Sequence, residues 1–326
     1  MSQQGTSDTE SERGTQREST QSTTRRRVLR GAAAGAAALT GVTASAGTAV
    51  AGDWTEDSPP AADAPADYPR VSAREHFDDD ANLINGETTY SYDTAGDWGK
   101  YHSPGDELCI FVHGWNVDEQ GAMDTAYEAE LAMAQNGYDW GVFNVLFTWD
   151  SDKGDSLDMG WSDAREIARD TGEKLANFVQ DWDATHDVPI RLIGHSLGGS
   201  VVCEAVESLY VDHADLFGTS SPPLNVVDNV AFLGAAVDDQ AVSTDGEYGE
   251  ALYHSVVEVN NYVNNDDQVL DDVYETREWT PAIGEEGADA PEPDNYFDRN
   301  VSDIVDLHGD YYRRDVGCMG EVVSRF

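Results

Sequence analysis

The chain has 326 residues and carries 63 Asp and Glu against 19 Lys and Arg, which gives a formal net charge of −44. A surface of this sign repels phosphate groups, so nucleic acid and anionic membrane surfaces are not expected as partners. The acids are spread along the whole chain, and molar salt shortens the range of their repulsion to about 3 Å. We therefore expect a protein of an extremely halophilic archaeon. The 3 cysteines exclude a framework of several disulfides.

The N-terminus has the pattern of an export signal. Residues 24–30, TRRRVLR, resemble a twin-arginine signal with its pair at Arg25 and Arg26, and the Ala- and Gly-rich run that follows ends in Ala49-Val50-Ala51, a small-x-small cleavage site. A membrane anchor is the alternative, but a run of Ala, Gly and Thr partitions poorly into hydrocarbon. We expect residues 1–51 to be a signal peptide for the twin-arginine export machinery. The mature protein is then extracellular, with no stable membrane insertion.

The rest of the chain has the pattern of a linker followed by one domain. Residues 52–68 are rich in Pro, Ala and Asp, which predicts a flexible linker before a domain at residues 69–326. Apolar runs predict buried strands at residues 107–113, 142–149, 190–194, 227–237 and 255–263. Helical spacing occurs between them, at residues 118–137, 160–182 and 196–211. This order predicts an α/β fold with a mainly parallel central sheet and helices on both faces.

Two segments are predicted to be irregular. Residues 278–300 are rich in Pro, Gly and acids, which predicts a long excursion that is either a disordered insertion or a lid; residues 151–159 are a second lid candidate. Residues 150–158, DSDKGDSLD, resemble a calcium loop but lack its terminal bidentate Glu. We therefore expect no metal site.

The stretch Gly194-His195-Ser196-Leu197-Gly198 fits the pattern G-x-S-x-G. The pattern alone is weak in a chain of this Gly and Ser content. Here, however, it lies between a strand-like run and a helical one, where a nucleophilic serine occupies a sharp turn. His195 only fills the variable position of the pattern. The alternative is a serine in an ordinary glycine-rich turn.

A second turn, FVHGWN at residues 111–116, ends the first strongly apolar strand. Parallel strands end at one edge of a sheet, so this turn and Ser196 are expected to share one crevice. The backbone N–H groups of Trp115 and Leu197 would then form an oxyanion hole. We interpret His113 as a structural histidine rather than a base, because it precedes the serine in the chain.

Four short motifs, VHGWN, GHSLGG, NNDDQVL and DLHGDYY, occur in this order between residues 107 and 312. Together they resemble the lipase and esterase branch of the α/β-hydrolase superfamily. The resemblance implies an α/β-hydrolase fold and a triad in the order serine, acid, histidine, which falls here on Ser196, Asp267 and His308. His308 is the only histidine after Asp267. The other candidates for the acid, the closest rival first, are Asp266, Asp238 and Asp239.

We therefore expect a secreted, salt-adapted serine hydrolase that cleaves carboxylic esters of small molecules or lipids through an acyl-enzyme, with no cofactor. The same triad serves amidases, thioesterases and acyltransferases. A catalytically silent α/β-hydrolase that only binds a ligand is the alternative from another class. Trp115, Trp149 and Trp161 either form an apolar acyl pocket or belong to the core.

Overall fold

One sheet organises the part of the chain that the structure describes. The structure is a computed structural model, and it describes residues 61–154, 160–217, 224–289 and 291–326, with the backbone alone for residues 213–217. The predicted signal peptide and the first part of the predicted linker lie outside the described residues.

Eight strands form this sheet. They are β1 (Arg70–Ala73), β2 (Asp93–Ala95), β3 (Glu107–Val112), β4 (Val142–Trp149), β5 (Ile190–His195), β6 (Val227–Leu233), β7 (Val256–Val263) and β8 (Tyr296–Asn300). Their spatial order is β2-β1-β4-β3-β5-β6-β7-β8, and only β1 and β2 pair antiparallel. The mainly parallel sheet confirms the predicted fold class. The strand predicted at 227–237 ends early, at Leu233, because Gly234 follows it with a φ of +50°.

Helices cover both faces of the sheet. The α-helices are α1 (Trp98–Tyr101), α2 (Glu119–Gln135), α3 (Trp161–Asp183), α4 (Gly198–Phe217), α5 (Gly249–Ser255), α6 (Thr276–Glu278), α7 (Ile283–Glu286) and α8 (Met319–Val323), and a π-helix spans Leu270–Glu275. Helices α3 and α4 pack together on one face, and α2 with α8 covers the other. Among the described residues, no helix is both long enough and apolar enough to cross a bilayer.

The parallel register brings the loops after β3, β5, β6 and β7 to one edge of the sheet. Val112 of β3 pairs with Gly194 of β5, so the turn that begins at His113 lies beside Ser196. Further along the same edge, His195 pairs with Leu233 of β6, and the loops after β6 and β7 follow there. The segments predicted to carry chemistry therefore converge at the carboxyl ends of the strands, where open α/β sheets form their crevice.

The last part of the predicted linker packs against helix α2. The Ala62 N–H donates to the Glu128 carboxylate (3.0 Å), and the Ala64 N–H donates to the Asp124 carboxylate (2.8 Å). The Tyr68 side chain is buried. Residues 61–68 are thus attached to the domain rather than free, because side-chain acceptors on α2 satisfy their backbone donors.

Residues 278–300 were expected to be a long irregular excursion, either a disordered insertion or a lid, and the irregularity is wrong for two parts of the segment. Helix α7 lies within it, and the Gly284 N–H of that helix donates to the Ala235 carbonyl (3.1 Å). Strand β8 follows and extends the sheet beside β7. Strand β8 was not predicted, because its residues, YFDRN, contain no apolar run. The other lid candidate, residues 151–159, lies partly outside the described residues.

A half-buried carboxyl, that of Glu204, lies where helices α3 and α4 pack together. A Cβ at Gly172 of α3 would lie 2.3 Å from the Glu204 Cβ of α4, so the two backbones are in close contact. The Glu204 carboxylate accepts a hydrogen bond from the Tyr248 hydroxyl (2.7 Å) and lies 3.6 Å from the Arg169 guanidinium. Burial outweighs both partners and raises the pKa of Glu204 to about 7.

Glu204 should make the protein less stable as the pH rises. The folded state holds this proton up to about pH 7, whereas the unfolded chain releases it near its ordinary pKa. The free energy of unfolding therefore falls as the pH rises between these two pKa values. The change in this free energy caused by Glu204→Gln should be more favourable at pH 8 than at pH 5 by on the order of 2 kcal/mol. Denaturant unfolding at both pH values and constant salt measures the difference. Glu166→Gln, which removes an exposed charge from α3, is the control; equal effects of Glu204→Gln at both pH values would contradict the prediction.

Candidate active site

Ser196 occupies a strained turn between β5 and α4. Its φ is +53°, a left-handed conformation that is unfavourable for a residue with a Cβ. Its N–H donates to the Leu233 carbonyl (3.1 Å), and its own carbonyl accepts from the N–H groups of Gly199 (2.9 Å) and Ala236 (3.0 Å). These hydrogen bonds hold the turn on both sides. The serine is thus not in an ordinary turn; it has the strand-to-helix geometry that G-x-S-x-G requires.

Glycines allow this turn to pack closely against β3. A Cβ at Gly198 would lie 2.3 Å from the Val112 carbonyl oxygen. A Cβ at Gly114 would lie 2.9 Å from the Cβ of Ser196, which shows how near the two turns are. Any larger residue at either position would push the serine away from the turn after β3.

The Asp267 and His308 side chains form a buried pair. Asp267 follows β7, and its Oδ2 accepts a hydrogen bond from the Nδ1–H of His308 (2.7 Å); both side chains have no exposed surface. The same oxygen accepts from the Tyr311 hydroxyl (3.1 Å), and Oδ1 accepts from the Leu270 N–H (3.3 Å). Burial raises the pKa of Asp267, but the neighbouring His308 and these donors outweigh it and leave the pKa below its ordinary value. The carboxylate is therefore ionised at neutral pH.

Of the rival acids, none takes this position. Asp266 is exposed, although it is the next residue in the chain. Asp238 accepts from the backbone N–H of Gln240, and Asp239 accepts from the Thr280 hydroxyl. The structure thus brings Asp267 to His308 and leaves the other candidates in different local contacts.

His195 joins the Ser196 turn to the His308 loop. Its Nε2–H donates to the backbone carbonyl of His308 (2.9 Å), and the two rings lie 5.0 Å apart. Burial, with a further contribution from His308, lowers the pKa of His195 to about 3, so the ring stays neutral. The expectation that His195 only fills the motif was wrong. A pattern of chain positions gave no signal for this contact, because it links residues more than a hundred positions apart.

Two backbone N–H groups adjoin the serine in the fold or in the chain. In the described part of the chain, neither the Trp115 N–H nor the Leu197 N–H donates to a protein acceptor. Trp115 directly follows Gly114, which contacts Ser196, and Leu197 directly follows the serine. Trp115 and Leu197 thus stay our candidates for the oxyanion hole.

His113 is a structural residue of the turn after β3. Its Nδ1–H donates to the Gly114 carbonyl (2.9 Å), and its Nε2 accepts from the Trp149 N–H (3.2 Å). Burial, with a smaller contribution from the charge of Arg74, lowers the pKa of His113 well below its ordinary value. A neutral ring with both nitrogens engaged fixes the turn but has no lone pair for a substrate.

A small cavity of about 100 Å³ opens beside the serine turn. Its lining residues are His113, Gly114, Trp115, Asn116, Val117, Thr125, His195 and Tyr312. A larger cavity of about 350 Å³ lies at the other end of β7, beside α5, and includes none of the triad candidates. We place the candidate site at the smaller cavity, because its lining includes Trp115 and the two neighbours of Ser196, Gly114 in space and His195 in the chain.

The three tryptophans proposed for an acyl pocket have different roles. Trp149 is fully buried, and its indole N–H donates to the His113 carbonyl (3.0 Å), so it belongs to the core. Trp115 and Trp161 meet edge to face, with ring centroids 5.1 Å apart, near the site. Trp115 lines the small cavity, and Trp161 packs against Trp115 behind it.

One group of acids in the described residues could hold a cation. The carboxylates of Asp271, Glu275 and Glu285 lie within 4.8 Å of one another. The calcium-like segment at residues 150–158 is partly outside the described residues. Its first acid, Asp150, instead accepts from the backbone N–H groups of Glu75 and Phe77.

Comparison with known families agrees with the observed fold. A family model described as an alpha/beta hydrolase of unknown function (DUF900) matches residues 99–272, more than half of the chain. The chain belongs to this alpha/beta hydrolase family. The matched range contains Trp115, Ser196 and Asp267 and ends before His308, so the histidine candidate depends on its contact with Asp267. No curated protein matches the chain.

Proposed function

We propose that the protein is a serine hydrolase that cleaves carboxylic esters, with Ser196 as nucleophile, His308 as general base and Asp267 as the acid that orients it. The observation that carries the proposal is the buried hydrogen bond of 2.7 Å between Asp267 and His308, beside a serine with a φ of +53°. Membership of an alpha/beta hydrolase family supports a hydrolytic reaction in general; the ester substrate and the residue roles are our proposal.

The proposed acylation step uses these three residues in turn. With its Nδ1–H directed to Asp267, His308 carries a lone pair on Nε2 and takes the proton as the Ser196 oxygen attacks the ester carbonyl. The imidazolium that forms is stabilised by the ionised Asp267. The Tyr311 hydroxyl and the Leu270 N–H hold that carboxylate in place while the charge changes.

The developing oxyanion needs donors that are already in position. The N–H groups of Trp115 and Leu197 provide them, and a single donor of this kind typically contributes about 3 kcal/mol to the barrier reduction. His308 then protonates the leaving alcohol, and water, deprotonated by the same ring, hydrolyses the acyl-enzyme. Ser196 is released in its starting state.

A fluorophosphonate probe tests the nucleophile. In molar salt, the folded protein should be labelled on Ser196, as located by mass spectrometry of its peptides, and it should hydrolyse members of a panel of esters with graded acyl length. Ser200→Ala is the matched control, because this nearby hydroxyl already donates to the Ala236 carbonyl and should not react. Labelling of another residue would overturn the assignment, and absence of labelling in the folded protein would favour a silent binding module.

The proposal includes the place of action. The arginine pair Arg25-Arg26 and the cleavage pattern at Ala49-Val50-Ala51 support export by the twin-arginine machinery. An excess of acidic side chains supports activity in concentrated salt. We accordingly propose an extracellular hydrolase that meets its esters outside the cell.

A further inference from the structure

Arg277 lies over the two tryptophans beside the candidate active site. Its guanidinium carbon is 5.7 Å from the ring centroid of Trp115 and 5.7 Å from that of Trp161. We propose that Arg277 and Trp115 form a subsite that binds a carboxylate group carried by the ester substrate. The inference rests on the proposed function, since it specifies which esters that site would take.

The charge of Arg277 is not neutralised by a protein carboxylate in the described part of the chain. The neighbouring Arg165 pairs with Glu278, whose other oxygen accepts from the Trp161 indole N–H (2.7 Å). Arg277 instead has one long hydrogen bond, to the Val273 carbonyl (3.5 Å). In a chain with 63 acids, an arginine left without a carboxylate beside a candidate active site is available for an anionic ligand.

A second donor at the same ring also lacks an acceptor. The indole Nε1 of Trp115 is buried, and it has no hydrogen-bond partner among the described residues. Buried N–H groups are nearly always paired, so an orphaned one indicates an acceptor that comes from elsewhere. A carboxylate oxygen can accept from an indole N–H and from a guanidinium at once.

The subsite is linked to the reacting atoms through one residue. The Trp115 backbone N–H is a candidate oxyanion donor, and its ring contacts Trp161 and Arg277. An ester whose carbonyl oxygen meets that N–H therefore has its own carboxylate within the length of one tryptophan side chain. This distance suits half-esters of short dicarboxylic acids.

Salt does not remove such an interaction. Molar salt screens charges beyond about 3 Å, which abolishes long-range attraction. A direct hydrogen-bonded pair between a guanidinium and a carboxylate lies within that distance and keeps its planar, two-point geometry. Arg277 would then give local selection for an anion that the rest of the surface repels.

The test compares two esters that differ only in charge. Wild type and Arg277→Gln are assayed in molar salt with the mono-4-nitrophenyl ester of glutaric acid and with 4-nitrophenyl valerate. We expect Arg277→Gln to lower the ratio of kcat/KM for the anionic ester to kcat/KM for the neutral ester by about tenfold or more, through KM. Arg277→Lys keeps the positive charge but not the planar guanidinium, so its ratio should lie between those of wild type and Arg277→Gln.

Arg299→Gln is the matched control, because Arg299 also stacks on an aromatic ring, that of Phe297, but lies on strand β8. Its ratio should equal that of wild type. If Arg277→Gln changes kcat/KM equally for both esters or for neither, Arg277 has only a structural role and the proposed subsite is wrong.

Free glutarate provides a second measurement, since it should slow labelling of Ser196 by the neutral probe in wild type and less so in Arg277→Lys. Hydrolysis of the neutral ester, or labelling of Ser196, with no change in the ratio would refute the subsite while leaving the serine hydrolase proposal intact.

Discussion

Ser196→Ala should lower kcat for ester hydrolysis by roughly 10⁴- to 10⁶-fold, because it removes the atom that forms the acyl-enzyme. The folded structure should be retained. Alanine has a Cβ like serine, so it keeps the left-handed backbone that the Leu233 and Ala236 hydrogen bonds hold in place. Hydrolysis of a 4-nitrophenyl ester in molar salt measures the loss, and circular dichroism checks the fold.

A second variant makes this prediction sharper. If His308 acts only by taking the proton of Ser196, His308→Gln should cost about as much as Ser196→Ala, and the double variant should be no worse than either single one. The small activity that remains would come from the backbone donors at Trp115 and Leu197. A double variant far below both single variants would show that the serine and histidine act independently, which the triad does not allow.

Asp267→Asn should lower kcat by roughly 10³- to 10⁴-fold. The asparagine side chain can donate its own N–H to Nδ1 of His308. The ring proton then resides on Nε2, so Nε2 has no lone pair with which to take the proton of Ser196. The Asp267 carboxylate lies 2.7 Å from that ring, so its loss acts directly on the base. The rate is measured with the same neutral ester, across a range of pH values.

Asp266→Asn is the matched control for the acid. It removes one negative charge from the neighbouring, exposed position, and its kcat should stay within about twofold of wild type, as for most surface substitutions. A severe loss in Asp266→Asn with normal activity in Asp267→Asn would mean that the loop rearranges on substrate binding and that the wrong neighbour was chosen.

Features set by local pattern could be predicted from the sequence. Buried parallel strands are continuous apolar runs, so β3, β4 and β5 were recognisable, and the order of the motifs indicated which loops meet at the sheet edge. Strand β8 was missed, since its pairing with β7 depends on backbone contacts and not on an apolar pattern. The residues of the predicted triad were chosen through chain order and the scarcity of late histidines; the structure pairs Asp267 with His308 and joins the His308 carbonyl to His195, next to Ser196.

Contacts between distant loops could not be predicted in this way. The link from His195 to the His308 carbonyl joins the end of β5 to a later loop, and the stack of Arg277 on Trp115 and Trp161 joins α6, the turn after β3 and the start of α3. None of these residues has a spacing that distinguishes it from a surface or core residue. Their positions follow from how the loops pack at the edge, which depends on glycines such as Gly114 that permit close approach.

The left-handed backbone at Ser196 has a consequence for protein engineering. A residue with a Cβ in this conformation is less favourable than glycine by about 1–2 kcal/mol. Selection for thermal stability alone would thus favour glycine at position 196, whereas selection for turnover would retain serine. Libraries built to stabilise this protein should hold that one codon constant and seek their gains elsewhere.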